Sequence, residues 1–181
     1  FKTFLLLESG KELIVVDQHA AHERLLFDRF CMRLRTDSVL KQSLIFPYAF
    51  KVNAVEGEII EGLRDRFTEM GFDVERDGDS DIFKVYSIPV ELIGINLDDF
   101  FREILEDEKF KDENTIGAVR EKLIQKACKS AIKSGDELSQ LEMKTLIEDL
   151  RRDWTLKCPH GRPIAIKITR TDFDKWFKRI V

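Results

Sequence analysis

The pattern of apolar and polar positions predicts a strand hairpin followed by a helix at the start of the chain. The apolar runs 3–7 and 13–16 are joined by ESGKE, whose glycine favours a tight turn. Apolar residues then recur at helical spacing from 19 to 34, at Ala20, Leu26, Phe27, Phe30 and Leu34. A loop that ends at QSLIFPYAF is expected after this helix.

The middle of the chain predicts two helices around a second hairpin. Asn53 with Glu56 three residues later is typical of a helix start, and the apolar spacing continues this helix to Gly71. The next segment alternates as a hairpin that turns at Gly78, and Asn96 caps a second helix.

The last third predicts three more helices and one strand. A long helix is expected over 116–133, and the capping box of Ser139 and Glu142 opens another that runs to about 152. PIAIKIT alternates as a strand, and Thr171 is predicted to cap a final helix.

This order of elements predicts an α+β fold with two subdomains. Residues 1–47 and 117–181 would form a sheet with packed helices, and residues 48–116 would form an inserted α/β subdomain.

Composition and charge restrict the class of protein. Apolar residues make up 43% and charged residues 35%, and no apolar run reaches the roughly 20 residues of a membrane span. Three cysteines without a secretory signal indicate a reducing, cytoplasmic compartment. The net charge of −4 means that DNA binding has to come from a local patch or from a partner.

The first candidate site is VVDQHAAHE, at the end of the second strand. His19 and Glu23 are four residues apart, so on a helix they share a face and can hold one cation, and Asp17 can point to the same place. The alternative is that Asp17 caps the helix and His19 is a core residue. HAAHE does not match either metalloprotease pattern of His and Glu.

The second candidate site is KCPHGRP, which places Cys158 and His160 two residues apart in a tight turn. A thiolate and an imidazole on a rigid turn are typical of half a zinc site, and Cys128 offers a third soft ligand. The alternative for Cys128 is a small buried apolar residue, as for Cys31.

DQHAAHE resembles the signature of the C-terminal domain of MutL-type DNA mismatch repair proteins that carry a nicking endonuclease. ACK at 127–129, CPHGRP at 158–163 and FKR at 177–179 are similar to the other motifs of that family, in the same order. Asp28 departs from the signature, which has Glu there, and its shorter side chain does not suit a role that needs reach. Its place a turn further along the helix suggests a supporting role rather than metal ligation.

The resemblance implies a metal-dependent nicking endonuclease. It assigns essential acidic roles to Asp17 and Glu23, and metal ligation to those two and to His19, Cys128, Cys158 and His160. Zn²⁺ suits the thiolates in a structural or regulatory role, and catalytic Mn²⁺ or Mg²⁺ suits the carboxylates. Supporting roles fall to Gln18, Asp28, Phe177 and Arg179.

The resemblance also implies an assembly. The expected protein is a bacterial, nucleoid-associated homodimer with 48–116 as an external regulatory subdomain, joined by a linker to an ATPase and meeting the mismatch-recognition protein through the full-length chain. The alternative is a zinc-binding homodimerisation module without catalysis. An unrelated zinc hydrolase is disfavoured because no nucleophile elbow or phosphate loop is found in the sequence.

A separate motif, QSLIFP at 42–47, is spaced like a peptide that binds the bacterial sliding clamp. The expected contacts are those of Gln42, Leu44, Ile45, Phe46 and Pro47, with apolar anchors in a pocket and Gln42 at its rim. The alternative is a strand with Leu44 and Phe46 in the core.

DNA contacts are predicted for a lysine stripe and an arginine. Lys122, Lys126, Lys129 and Lys133 recur along one helix, and Arg162 shares its turn with the metal ligands. A charge run on a helix is more often only a solvated face, and weak binding of double-stranded DNA by this chain alone is expected from its charge.

Overall fold

The structure is a computed structural model that describes residues 3–36, 38–107, 110, 116–132, 139–150 and 153–179. These residues form two three-stranded antiparallel sheets and seven α-helices, which confirms the predicted α+β class. The chain divides into two compact units. The terminal unit comprises Phe1–Leu25 and Lys133–Val181, and the central unit comprises Leu26–Ile132. The narrower division at 48–116 stays a prediction.

The terminal unit is built on a sheet to which both ends of the chain contribute. Strands β1 (Phe4–Ser9) and β2 (Glu12–Asp17) form the predicted hairpin, and β6 (Ala165–Thr169) pairs with β2 in the order β1-β2-β6. Alternate residues of the strands face a core with α6 (Gln140–Leu150), where Ile14, Val16, Leu146 and Leu150 are buried.

The predicted cap of the last helix is wrong. Helix α7 spans Arg170–Trp176, and Thr169 rather than Thr171 is its N-cap. The Thr169 side chain accepts from Asp172 N while Asp172 accepts from Thr169 N, so the two residues form a capping box. Strand β6 therefore passes directly into α7.

The central unit contains the second sheet, in the order β3-β5-β4. Its strands are β3 (Lys41–Lys51), β4 (Asp73–Arg76) and β5 (Ile82–Pro89). Its helices are α2 (Ala54–Gly62), α3 (Arg64–Glu69), α4 (Leu97–Glu106) and α5 (Ile116–Ala131), with a 3-10 turn at Val90–Leu92. The long helix α1 spans Gln18–Arg35, so its first residues belong to the terminal unit and the rest to the central unit.

Aromatic packing dominates the core of the central unit. Phe67, Phe72, Phe100 and Phe101 are buried and stack or meet edge to face, and the Phe50 and Phe101 rings are 4.2 Å apart. The predicted caps at Asn53 and Asn96 are confirmed. The helix predicted to run to Gly71 is instead two helices, because the chain tightens at Leu63, whose N–H donates to both Ile59 O and Ile60 O.

No described helix is long and apolar enough to cross a membrane.

Candidate metal centre

The end of β2 positions the start of α1. Ala20 N donates to Asp17 Oδ1 over 3.0 Å, so Asp17 is the N-cap of α1, as the alternative interpretation predicted. Gln18 is buried, and its backbone N–H donates to Thr3 O over 3.1 Å. A carboxylate keeps a second oxygen when the first one caps a helix, so capping is compatible with ligation by Asp17.

The helical period places Glu23 on the inner face of α1. Ala20 and Ala21, which precede it, are fully buried in the core of the terminal unit. The Glu23 side chain is only 6% exposed, which is unusual for a carboxylate unless a cation or hydrogen bonds compensate its charge.

A tight turn holds Cys158 and His160. Cys158 N donates to Arg162 O and Gly161 N donates to Cys158 O, both over 2.8 Å. Gly161 has a φ of +85°, a conformation that glycine adopts without strain. Arg24 Nη1 donates to Lys157 O over 3.2 Å and so ties the turn to α1. Sequence patterns carried no signal for Arg24, because a bond to a backbone oxygen depends on the fold alone.

Glu23, Cys158 and His160 come together as one group of possible metal ligands. One ligand atom of each lies within 4.8 Å of the others. Among the described residues, this is the one group of three His, Cys, Asp or Glu side chains that meets this distance condition. His160 is 37% exposed at its side chain, whereas Cys158 and Glu23 are buried.

A buried oxygen without a donor marks the centre of this group. Glu23 Oε1 accepts no hydrogen bond from any described residue, although His160 Nδ1 lies only 2.8 Å away. Buried polar atoms in native proteins nearly always have a partner. A cation between the carboxylate, the imidazole and the thiolate would satisfy this oxygen.

The donor set fits a metal ion. Carboxylate, imidazole and thiolate are all zinc ligands, and three protein ligands with one open position are typical of catalytic zinc. Tetrahedral ligands at zinc bond lengths stand roughly 3.3–3.8 Å apart, so Glu23 and His160 would separate by about half an ångström. The group therefore accommodates a metal with small side-chain movements.

Arg162 is the cation that this structure places at the group. Its Nη2 lies 3.7 Å from Glu23 Oε2. A hydrogen bond to Cys158, followed by the charges of Cys158, Glu23 and Asp17, raises the pKa of Arg162 above its usual value. The anionic side chains thus stabilise positive charge at this point.

Comparison with known proteins places the chain in a family. Residues 1–138 match the model of the MutL C terminal dimerisation domain. This chain belongs to that family. The DNA mismatch repair protein MutL of Clostridium botulinum strain Loch Maree is 40% identical over 182 residues, which covers 98% of this chain and 27% of that protein.

Other bacterial relatives match at similar levels. MutL of Clostridium beijerinckii is 38% identical over 99% of this chain and 27% of its own length. MutL of Agathobacter rectalis is 34% identical over 100% of this chain and 28% of its own length. The chain thus spans little more than a quarter of the relatives it matches. Its resemblance to the MutL family is confirmed.

The remaining predicted ligands of this MutL domain lie outside the group of three. His19 is half-buried in the first turn of α1. Cys128 belongs to the central unit, where it is fully buried in the apolar cluster. Asp28 is half-buried further along α1. Their roles as ligands or supporting residues stay predictions.

The clamp-like motif lies in a strand rather than in the predicted loop. β3 pairs with β5 at Ser43 with Ser87 and again at Tyr48 with Val85, so residues 44–47 bulge opposite Tyr86. Ile45 is 92% exposed and Phe46 is 85% exposed, whereas Leu44 packs partly against the core. Gln42 is exposed, and its Nε2 donates to Ser43 O over 3.0 Å.

The predicted lysine stripe pairs with carboxylates of the same unit. Lys129 Nζ lies 2.6 Å from Glu103, and Lys126 Nζ lies 3.3 Å from Asp107. These ion pairs are what the solvated-face alternative predicts. Lys133 lies outside the described residues. DNA contact by these lysines stays a prediction.

The FKR motif lies at the end of α7. Phe177 is 71% exposed, and the Arg179 guanidinium stands 5.9 Å from the centre of its ring. Exposed aromatic and cationic groups suit a contact with another molecule.

Proposed function

We propose that this domain is the metal-dependent nicking endonuclease of a bacterial mismatch repair protein, cutting the strand that is to be corrected. The observation that supports this most is the buried, donor-less Glu23 Oε1 beside Cys158 and His160 in a MutL-family chain. A cation would satisfy such an oxygen, and phosphodiester cleavage needs cations.

Each residue of the group has a defined part. Glu23, Cys158 and His160 would hold Zn²⁺. The carboxylates of Asp17 and Glu23 would supply the hard oxygen ligands that Mn²⁺ or Mg²⁺ prefers, and His19 would add an imidazole ligand. A metal held there would polarise the phosphate and lower the pKa of a bound water. Cys128 is proposed as a further zinc ligand, since thiolates bind that ion well. Asp17 also fixes the start of the helix that carries Glu23.

Arg162 is proposed to contact the DNA phosphate. Its side chain is 63% exposed, and it lies beside Glu23, so it can reach both the group and an incoming backbone. Guanidinium pairs with phosphate through two hydrogen bonds. Lys126, Lys129 and Lys133 are weaker candidates because the first two already pair with carboxylates.

The dimer is proposed to form through the outer face of the first sheet. Leu6, Val15 and Ile166 are cross-strand partners in one row, and Leu6 and Ile166 are each 53% exposed. Phe4, on the same side of β1 as Leu6, is 42% exposed. A contiguous apolar sheet face in a dimerisation-domain family suits a second copy of the chain.

The bulge in β3 is proposed to bind the sliding clamp. Two adjacent large apolar side chains, Ile45 and Phe46, project into solvent from an edge strand. Their exposure favours the peptide-like interpretation over the core-strand interpretation, which places Phe46 inside. The clamp and the mismatch-recognition protein, met through the full-length chain, would compensate for weak DNA binding by this domain.

The competing function is a zinc-binding homodimerisation module without catalysis. The group of Glu23, Cys158 and His160 and the apolar outer face of the first sheet would serve this module as well. The two functions differ in one expectation. Only an endonuclease nicks DNA, and only there does loss of the Asp17 charge abolish a reaction.

Nicking of supercoiled plasmid separates these functions. We expect the 181-residue chain with Mn²⁺ and clamp to nick the plasmid, and Asp17→Asn to reduce nicking to background. Asparagine caps helices as well as aspartate does, so the variant keeps its fold and loses only the charge. Asp81→Asn is the control, since Asp81 pairs with Lys51 in the central unit.

Either outcome decides between the two functions. Nicking that survives Asp17→Asn would contradict the proposed catalytic carboxylate. If the wild-type chain does not nick with clamp present, although it binds zinc and dimerises, the module without catalysis is the better description.

The clamp contact is tested with neighbouring residues of the bulge. Phe46→Ala should abolish clamp binding and leave the unfolding free energy unchanged, because Phe46 is 85% exposed. Leu44→Ala should reduce the unfolding free energy, because Leu44 packs against the core. Calorimetric titration with clamp and urea unfolding measure the two effects. Unchanged clamp affinity in Phe46→Ala would contradict the proposal.

A further inference from the structure

The central unit contains a polar cleft of about 500 Å³ that is separate from the group of metal ligands. Four segments of the central unit line it: the end of α1, the start of β3, the end of α3 and the second turn of α5. The cleft has the volume of an ordinary ligand site. Its charged lining residues are Arg35, Lys41, Glu69 and Arg120.

The cleft carries an excess of positive charge. Arg35, Lys41 and Arg120 form no ion pair with any residue that the structure describes. Glu69, the acidic lining residue, is already paired, because its Oε1 lies 2.8 Å from Arg66 Nη1. Three lining cations without an ion pair are notable in a chain whose net charge is −4.

Arg120 carries a buried donor without an acceptor. Its Nε is inaccessible to solvent and finds no hydrogen-bond partner among the described residues. A buried donor without an acceptor is rare in native proteins. An anion in the cleft would supply the acceptor.

Helix ends alone do not account for these three cations. Arg35 lies in the last turn of α1, where a cation stabilises the negative end of the helix dipole. Arg120 lies in the second turn of α5, near the positive end of that helix, where the same effect gives a cation no stabilisation. Lys41 begins a strand.

We propose that this cleft binds a phosphate-bearing ligand, with Arg120, Arg35 and Lys41 as its donors. Two guanidiniums and an ammonium match the charge and the several acceptor oxygens of a phosphate. The phosphate belongs either to a nucleic-acid backbone or to a free nucleotide, since both present the same group. The proposal does not depend on endonuclease activity.

Calorimetric titration of the 181-residue chain with pyrophosphate tests the cleft. We expect binding that weakens at least tenfold in Arg120→Gln and in Lys41→Gln. Lys51→Gln is the matched control, because Lys41 and Lys51 are the two ends of β3 and only Lys41 lines the cleft. Lys41 is exposed, so its variant keeps the fold even if Arg120→Gln does not.

Competition then identifies the source of the phosphate. Displacement of pyrophosphate by a short DNA duplex assigns a backbone phosphate, and displacement by ATP assigns a nucleotide. The proposal is overturned if the wild-type chain does not bind pyrophosphate, if Lys51→Gln weakens binding as much as Lys41→Gln, or if neither duplex nor ATP competes.

Discussion

At the residue scale, Glu23 shows what sequence can and cannot predict about the site. Spacing on a helix was enough to select Glu23, and a short Cys-x-His turn was enough to select Cys158 and His160. Their meeting could not be derived from spacing, because more than 130 residues separate Glu23 from Cys158. It follows from the pairing of β6 with β2 and from the bond of Arg24 to Lys157 O.

Asp17 has a side chain whose type fits two roles. Sequence left open whether Asp17 caps α1 or points to a metal, and the structure shows the cap. Metal ligation depends on where the other carboxylate oxygen of Asp17 points once an ion is present. Residue type and spacing do not determine that direction.

Gly71 gives a prediction at this scale. Its φ is +89°, and a Cβ there would stand 2.7 Å from Val39 Cγ1. Gly71→Ala should therefore lower the unfolding free energy by about 3 kcal/mol, from backbone strain and steric overlap together. Gly78 has a φ of +61° but no atom within 4 Å of its Cβ position, so Gly78→Ala should cost only about 1 kcal/mol. Urea unfolding measures both, and equal losses would show that the contact with Val39 is unimportant.

At the element scale, local sequence signals predicted most helices and strands. The hairpin of β1 and β2, the caps at Asn53 and Asn96 and the capping box of Ser139 depend on neighbouring residues, and all are confirmed. The bulge in β3 depends instead on its register with β5. The partner strand sets this register, so the sequence of residues 42–47 does not show the bulge by itself. For that reason these residues were predicted to form a loop.

The cap of α7 gives a prediction at this scale. Thr169→Ala should lower the unfolding free energy by about 1 kcal/mol at pH 7, because Thr169 caps α7. Thr171→Ala should have little effect, since Thr171 is exposed within the helix. Thermal unfolding measures the stability of the two variants. Equal destabilisation would contradict the assignment of the cap to Thr169.

The same cap predicts a pH dependence. A hydrogen bond to the Thr169 side chain, and one to its backbone N–H, lower the pKa of Asp172. A lowered folded-state pKa contributes stability above the unfolded-state value of about 3.9 and loses it as the pH falls through the folded value. The difference between wild type and Thr169→Ala should therefore shrink below about pH 4. A constant difference down to pH 3 would contradict this linkage.

At the scale of the whole molecule, the sheet that unites both chain ends was predicted and is confirmed. The order of elements indicated it, since strands at the two ends flanked a block of different pattern. The boundaries of that block could not be predicted sharply, because α1 is continuous while its residues divide between two cores.

The proposed dimer face gives a prediction at this scale. Ile166→Arg should convert the dimer to a monomer, because dimerisation through this apolar face would bury the new arginine charge. Ile93→Arg is the control, since Ile93 is 62% exposed in the central unit. Sedimentation equilibrium measures the mass. A dimeric Ile166→Arg chain would place the interface elsewhere.

The most direct test of the metal centre is the metal content of the purified 181-residue chain after equilibration with Zn²⁺ and dialysis. We expect the wild-type chain and Cys31→Ala to retain zinc equally, because Cys31 is not part of the group of metal ligands. We expect Glu23→Gln and Cys158→Ala to lose zinc, since each removes a charged ligand. Zinc retained in Glu23→Gln at the wild-type level would contradict the metal centre on which the proposed nuclease depends.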